Sequence, residues 1–261
     1  MSEAERSTTY ERLKAAIESW KPAAAATIVR GEPLGAKILV IDGQSDGTFG
    51  DAALDRLVVA EAKRWLGESI STTTTIPGPR GEIEVFFESF PPPPSLLIFG
   101  AVHVAQPLTT MGKMLGFRVV VIDVRAKLAT RDRFPDADEI VLEWPDAALE
   151  GRTVDRNTAI AILSHDPKFD EPALLGALAT PARYIGAVGS RKTNVDRRQR
   201  LEEAGVDDES ISRIRGPIGL NIGASTPEEM AISILAEIIA VWNDREGGPL
   251  ATATGNIRPR V

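Results

Sequence analysis

Apolar and polar positions divide this chain into two parts with different periodicities. In residues 6–20 and 51–65 apolar side chains recur every three or four positions, which predicts two amphipathic helices. Gln44–Gly47 is polar and contains glycine, so it is expected to be a turn. Residues 1–90 are therefore predicted to form a small α+β domain. Its strands are expected at four apolar or β-branched runs: Ala24–Val29, Ala36–Ile41, Thr72–Ile76 and Ile83–Phe90.

A second pattern begins after four consecutive prolines. Residues 91–95 are expected to be a stiff linker, because prolines favour extended geometry. Residues 96–244 alternate short apolar runs with helical patterns, which is typical of a mainly parallel sheet covered on both faces. We therefore predict an α/β chain whose second domain is Rossmann-like, and residues 245–261, which lack periodicity, are expected to be a disordered tail.

The predicted elements of the second domain follow one another regularly. The strands are expected at Leu96–Phe99, Arg118–Ile122, Glu139–Leu142, Thr158–Leu163 and Arg183–Val188. The helices are expected at His103–Leu115, Pro145–Leu149, Phe169–Ala179, Thr193–Ala204 and Pro227–Trp242.

Candidate ligand contacts lie after these strands, because open parallel sheets bind ligands at the carboxyl ends of their strands. Three of the segments begin helices, whose unpaired N–H groups attract phosphate, and Arg191 and Lys192 would add charge-assisted hydrogen bonds. The predicted cofactor-binding residues follow the strands or lie in the glycine-rich segment before the last helix: Gly100, Ala101, Val102, His103, Asp123, Arg125, His165, Gly189, Ser190, Arg191, Lys192, Gly219, Asn221 and Gly223.

The two histidines of the chain, His103 and His165, both follow predicted strands. They either touch a phosphate-bearing ligand, or His103 caps a helix and His165 bonds to a loop carbonyl. The chain has no cysteine, which excludes disulfides, thiolate nucleophiles and Cys-ligated metal sites. With only two histidines, a histidine-rich metal site is excluded too, and no metal site is predicted.

The turn Gly100-Ala-Val-His103 resembles the phosphate turn of a dinucleotide-binding unit, but Val102 replaces its second glycine. A β-branched side chain there hinders close approach of a pyrophosphate, which makes NAD(P) a weaker candidate cofactor. Asp123 lies where an acid would meet a ribose, or it only caps the next turn. An NAD(P)-dependent oxidoreductase is therefore an alternative function. Ser164-His165-Asp166 is not a catalytic triad, because triads are assembled from separate segments.

Charge and hydropathy limit the partners and the compartment. Lys and Arg number 30 against 37 acidic residues, and the net charge of −7 argues against a nucleic-acid or anionic membrane surface. No apolar run approaches the roughly 20 residues of a membrane span. The first twenty residues carry acids and no apolar core of a secretory signal, so a cytoplasmic protein is expected.

Several short motifs of the second domain, taken in order, resemble the XdhC/CoxI family of accessory proteins for molybdenum-cofactor enzymes. Looser matches in the first domain are Val29-Arg-Gly and Gly35-Ala-Lys-Ile-Leu-Val. The motifs that carry the resemblance are Gly100-Ala-Val-His-Val-Ala105, Gly116-Phe-Arg-Val, Thr130-Arg-Asp-Arg-Phe-Pro-Asp-Ala137, Ser164-His-Asp166, Tyr184-Ile-Gly-Ala-Val-Gly-Ser-Arg-Lys192, Gly216-Pro-Ile-Gly-Leu-Asn-Ile-Gly-Ala224 and Thr226-Pro-Glu-Glu229.

The resemblance implies an XdhC/CoxI-type domain over residues 1–90 followed by a Rossmann-like domain. It implies a chaperone, not an enzyme, that binds molybdenum cofactor (a molybdopterin, with or without a nucleotide tail) and delivers it to a molybdenum hydroxylase of the xanthine, aldehyde or carbon monoxide dehydrogenase type. The implied partners are the large subunit of that enzyme and, in some members, a cysteine desulfurase, and a homodimer is compatible with it.

Two departures from the family pattern bear on this expectation. Family members carry a Gly-Gly-Cys segment where this chain has Gly50-Asp-Ala-Ala53, and Val102 replaces a glycine. A further alternative is therefore a ligand-free scaffold for the assembly of such an enzyme.

Overall fold

The computed structural model describes residues 3–67 and 70–254, and the chain divides into two compact units at the bond between Pro93 and Pro94. Pro91–Pro94 belong to no helix or strand. The predicted tail is described only as far as residue 254 and includes a short 3-10 turn at Leu250–Thr252. Residues 255–261, the rest of that prediction, lie outside the described residues. Within the described part of the chain, no helix is long and apolar enough to cross a bilayer.

The first unit is an antiparallel sheet covered by helices. Its sheet has five strands in the order β3-β2-β1-β5-β4. A helix, α2, lays its buried Leu54, Val58 and Ala62 into the apolar cluster formed with the central strands. The elements in chain order are α1 (Glu3–Glu18), β1 (Ala23–Arg30), β2 (Lys37–Ile41), β3 (Gln44–Gly47), α2 (Ala52–Arg64), β4 (Ser71–Gly78) and β5 (Gly81–Phe90).

The prediction of a turn at Gln44–Gly47 is wrong. These residues form β3, which pairs antiparallel with β2, and the turn of the hairpin is Asp42-Gly43, where both residues have positive φ. The segment is polar because β3 is an edge strand with all four residues exposed, so apolar periodicity could not reveal it.

The second unit is a parallel sheet with helices on both faces. Two short elements, α7 and β11, have no counterpart in the prediction, because five and two residues are too short to give a periodic pattern. The elements are β6 (Ser95–Phe99), α3 (Ala105–Met114), β7 (Arg118–Ile122), β8 (Glu139–Val141), α4 (Pro145–Glu150), β9 (Thr158–Ile162), α5 (Pro167–Leu178), β10 (Tyr184–Ala187), α6 (Arg191–Glu203), α7 (Asp208–Ser212), β11 (Ile214–Arg215) and α8 (Pro227–Trp242).

The strand order of the second sheet is that of a Rossmann fold. The strands lie in the order β11-β10-β9-β6-β7-β8, and every neighbouring pair is parallel. Counted from β6 this is the order 3-2-1-4-5-6 in reverse, with the switch in direction between β6 and β9. The predicted mainly parallel, Rossmann-like sheet is therefore confirmed.

Two-sided burial explains why these strands are continuous apolar runs. Along β6, Leu96 and Ile98 belong to one core cluster, while Leu97 and Phe99 belong to the cluster on the other face. A strand buried on both faces carries no polar alternation. The only route out of such a sheet for polar chemistry is the strand ends, so the ligand site must be sought there.

Candidate functional site

The switch point of the sheet is a close backbone contact between the turns that follow β6 and β9. Gly100 has a φ of +109°, and a Cβ atom placed on it would lie 3.1 Å from the Ser164 backbone N. Glycine at position 100 therefore allows the two turns to touch. As a result, the turn Gly100–His103 and the segment Ser164–Asp166 form the two walls of one crevice.

A buried carboxylate, that of Asp123, holds the β6 turn from below. It is 1% exposed and accepts hydrogen bonds from the Ala101 N–H at 2.7 Å and from the Arg125 backbone N–H at 2.9 Å. Arg125 adds two more, from Nε at 2.9 Å and from Nη2 at 2.7 Å. Burial alone would raise the pKa of Asp123, but these hydrogen bonds outweigh it and lower the pKa.

The ribose contact considered for Asp123 does not agree with this geometry. Both carboxylate oxygens are engaged by protein donors, and the group is buried beneath the turn instead of facing a ligand. Arg125 is raised in pKa by its hydrogen bond to Asp123 and also feels the carboxylate of Asp166. The pair thus links the ends of β7 and β9 across the β6 turn.

The other side of the β6 turn is held by Arg133, a residue that the sequence pattern did not single out. Its Nη1 donates to the carbonyl oxygens of Ala101, at 3.0 Å, and Leu128, at 2.7 Å. Arg133 belongs to the motif Thr130–Ala137, so the motif carried a signal but gave no indication of what its arginine contacts. Asp123 and Arg133 together fix the turn from its N–H and from its C=O side.

The expectation that three helix N-termini offer free N–H groups to phosphate is wrong for two of them. At α8, the Glu229 carboxylate accepts the N–H groups of Ser225 and Thr226, and the Thr226 hydroxyl accepts that of Glu229. The hydrogen bonds from Thr226 and Ser225 lower the pKa of Glu229 to about 2. At α6, the Ser190 hydroxyl accepts the Thr193 N–H. Both helices are capped by their own side chains.

The helix after the β6 turn also begins later than predicted. Its first residue is Ala105, its N-cap Val104 provides no side-chain hydrogen bond, and the N–H groups of Ala101 and Val102 donate within the turn to Asp123 and to the Gly100 carbonyl. The valine at 102 is accommodated because this turn is not wrapped around a pyrophosphate.

The glycine-rich segment before α8 packs against that helix. The Gly219 N–H donates to Glu237 at 2.8 Å, and a Cβ on Gly219 would lie 2.4 Å from the Ser233 hydroxyl oxygen. Gly219 is thus explained by packing, while Asn221 and Gly223 are exposed. This segment does not converge with the switch-point crevice through any hydrogen bond of the described residues.

The polar side chains that remain available at the strand ends are His103, His165, Arg191 and Lys192. All four are exposed, and within the described ranges none makes a hydrogen bond or ion pair. The helix-capping role considered for His103 and the carbonyl contact considered for His165 are therefore not seen. His103 and His165 lie on the two walls of the crevice. Arg191 lines a separate cleft of about 310 Å³ with Asn194 and Gly216.

A buried ion pair lies behind the β9 end of the crevice. Asp170 and Arg197 are 4% and 3% exposed, and Arg197 Nη2 lies 3.4 Å from one oxygen of Asp170 and donates to the Val188 carbonyl at 2.7 Å. The other oxygen of Asp170, Oδ1, has no partner among the described residues. Burial raises the pKa of Asp170 to about 6, and Arg197, Ser164 and His165 lower it only in part. The sequence signal was a polar residue on the otherwise apolar face of α5.

The part of the chain that the structure describes contains no group of three or more His, Asp or Glu side chains able to hold a metal ion. The site is instead a crevice with two exposed imidazoles, next to a helix start with two exposed cations. Such groups can hydrogen-bond a polar ring system and neutralise an anion.

Comparison with known proteins identifies the second unit. The family model for the XdhC Rossmann domain matches residues 96–238. A solved structure of a xanthine dehydrogenase from Bacillus halodurans superposes with a TM-score of 0.55 at 21% identity, covering 93% of this chain and 97% of that chain. The latter likeness concerns the fold alone.

Three curated proteins are similar in sequence. They are YqeB of Escherichia coli (30% identical, 79% of this chain), a Bacillus subtilis protein named as a probable component of xanthine dehydrogenase (28%, 90% of this chain) and the molybdenum cofactor insertion chaperone PaoD of E. coli (29%, 60% of this chain). The chain spans 40%, 65% and 42% of the length of these relatives, respectively.

The Asp170–Arg197 pair predicts a pH-dependent stability. The folded-state pKa of Asp170, about 6, lies above its ordinary value of 3.8, so its contribution is fully present below about pH 4 and is lost as the pH rises through 6. Between pH 4 and pH 7 the unfolding free energy of the wild type should fall by about 1–3 kcal/mol relative to that of Asp170→Asn.

Urea unfolding of both proteins at the two pH values measures this difference, and Asp146→Asn, at an exposed position, serves as the control that should follow the wild type. A difference between wild type and Asp170→Asn that stays constant or grows with pH would show that Asp170 is not protonated in the folded chain near pH 5.

Proposed function

Because this chain belongs to the XdhC family, we propose that it is an accessory protein that binds molybdenum cofactor and delivers it to a molybdenum hydroxylase. The observation that carries the proposal is that the family match over residues 96–238 contains the whole switch-point crevice. The similar protein PaoD is named a molybdenum cofactor insertion chaperone, and the similar B. subtilis protein is named as part of a xanthine dehydrogenase. Both names support a role in maturation of such an enzyme.

The crevice residues fit a cargo of this chemistry. Molybdopterin combines a polar ring system with a phosphate. His103 and His165, exposed on opposite walls, are suited to hydrogen-bond the ring edges. Arg191 and Lys192, exposed and unengaged by other described residues, are suited to the phosphate. Because α6 and α8 are capped by their own side chains, the proposal places the anion contacts on side chains and not on helix N-termini.

The proposal assigns no catalytic residue to the chain. A carrier needs to hold its cargo and release it to a partner that binds it better, which requires differential affinity between two states and not a transition-state site. The large subunit of the hydroxylase is the proposed recipient. A cysteine desulfurase as second partner, a homodimer and a cytoplasmic location are further parts of the proposal, and they rest on the family resemblance and on the sequence features given above.

An NAD(P)-dependent oxidoreductase is not favoured by the geometry, because Asp123 is engaged beneath the turn and Val102 takes the place of the second glycine. We therefore expect millimolar NADPH to leave the midpoint of thermal unfolding unchanged, whereas a ligand at a hundred times its Kd would add about 2.7 kcal/mol of stability. Differential scanning fluorimetry measures the shift. An increase of several degrees that saturates with NADPH would contradict the proposed cargo.

Cofactor loading tests the proposed site directly. Protein purified from a molybdenum-replete host should yield the fluorescence of oxidised pterin, and His165→Ala and Arg191→Ala should each reduce the pterin content severalfold, because each removes a direct contact with the cargo. Arg156→Ala is the matched control, since Arg156 is equally exposed but precedes β9 at the opposite end of the sheet. Equal loading of all four proteins would remove the site assignment, and absence of pterin from the wild type would remove the function.

A further inference from the structure

The second unit carries a groove that neither the fold nor the proposed cargo site uses. It is about 590 Å³ in volume and lies between α3, the segment Thr130–Ala137 and the first turn of α8. His103 lines one end of it, so the groove opens directly onto the wall of the crevice. A partner seated in the groove would therefore lie beside the proposed cargo.

The lining combines flexible apolar side chains with acids. Met114 is 81% exposed, and Met111 and three prolines add apolar surface. Methionine is over-represented at surfaces that accept varied apolar side chains, because its chain is flexible and polarisable. An exposed methionine beside apolar neighbours is a contact site that solvent alone does not explain.

The charge of the groove has one sign. Asp132, Asp136 and Glu228 line it and are exposed. The arginine of the lining, Arg133, directs Nη1 inward to the carbonyls of Ala101 and Leu128, where it holds the β6 turn. The Thr110 hydroxyl donates to Asp136 but does not neutralise it. The groove thus presents carboxylates to any partner, and its complement is a cationic one.

We propose that this groove docks a basic segment of the recipient protein that inserts apolar side chains between its lysines and arginines. Amphipathic helices bind apolar grooves through side chains at i, i+3, i+4 and i+7, and an acidic rim selects those with a basic polar face. This inference rests on the proposed function for the identity of the recipient. The recognition chemistry itself rests only on the groove.

The direct test is peptide binding to the intact chain. The probe is a fluorescein-labelled amphipathic peptide of Lys and Leu, about 16 residues long, with Leu at helical spacing, and its counterpart carries Glu in place of Lys. Fluorescence anisotropy should detect the Lys peptide and not the Glu peptide, and binding should weaken as salt is raised.

Matched variants locate the binding. Asp132→Lys combined with Glu228→Gln should weaken Lys-peptide binding about tenfold, because two charge contacts are lost and one becomes repulsive. Glu143→Lys combined with Glu150→Gln changes the net charge equally at exposed positions outside the groove and should leave binding unchanged. Met114→Gln should weaken binding severalfold, whereas Leu142→Gln, also at an exposed position, should not.

Three results would overturn the proposal: no binding of the Lys peptide, equal loss in the groove variant and its control, or a dimer in sedimentation velocity that the groove variant abolishes, which would assign the groove to a second copy of the chain. Pterin content is measured in the same preparations. Peptide binding without pterin in the wild type would retain the groove and remove the proposed function, and pterin without peptide binding would do the reverse.

Discussion

The buried carboxylate of Asp123 is the interaction on which the ligand edge of the second unit depends. It accepts the Ala101 N–H and is paired with Arg125, so it fixes the turn after β6 in the one place where β6 and β9 diverge. Gly100 can then lie against Ser164 without a Cβ between them. An acid at the end of the second Rossmann strand here supports the turn, whereas in a dinucleotide-binding unit it would contact the ligand.

This internal use of polar groups extends to the helix starts. Glu229 and Ser190 satisfy N–H groups at α8 and α6 that could otherwise have bound a phosphate. The fold thus has the topology of a dinucleotide-binding domain, but the backbone donors of such a site are partly occupied by its own side chains. What remains accessible is a set of imidazole, guanidinium and ammonium groups, which suits a cargo that is held and then released.

The sequence predicted the architecture well, because strands buried on both faces and the Thr226 capping box leave patterns that depend only on neighbouring residues. It missed the polar edge strand β3, whose role depends on pairing with β2. It placed the histidines and Arg191 at strand ends, but it could not tell that Asp123 is turned under its own loop. Nor could it show that Asp170 and Arg197, 27 positions apart, meet in the core. Such contacts depend on the packing of helices on a sheet and not on local pattern.

The central claim is that the cargo lies at the switch point between β6 and β9. Amide hydrogen exchange, compared between cofactor-loaded and cofactor-free protein, tests it most directly, because it reports protection segment by segment without a substitution. The account predicts slower exchange in residues 100–106 and 163–169 of the loaded protein. Protection confined to other segments, with these two unchanged, would contradict it.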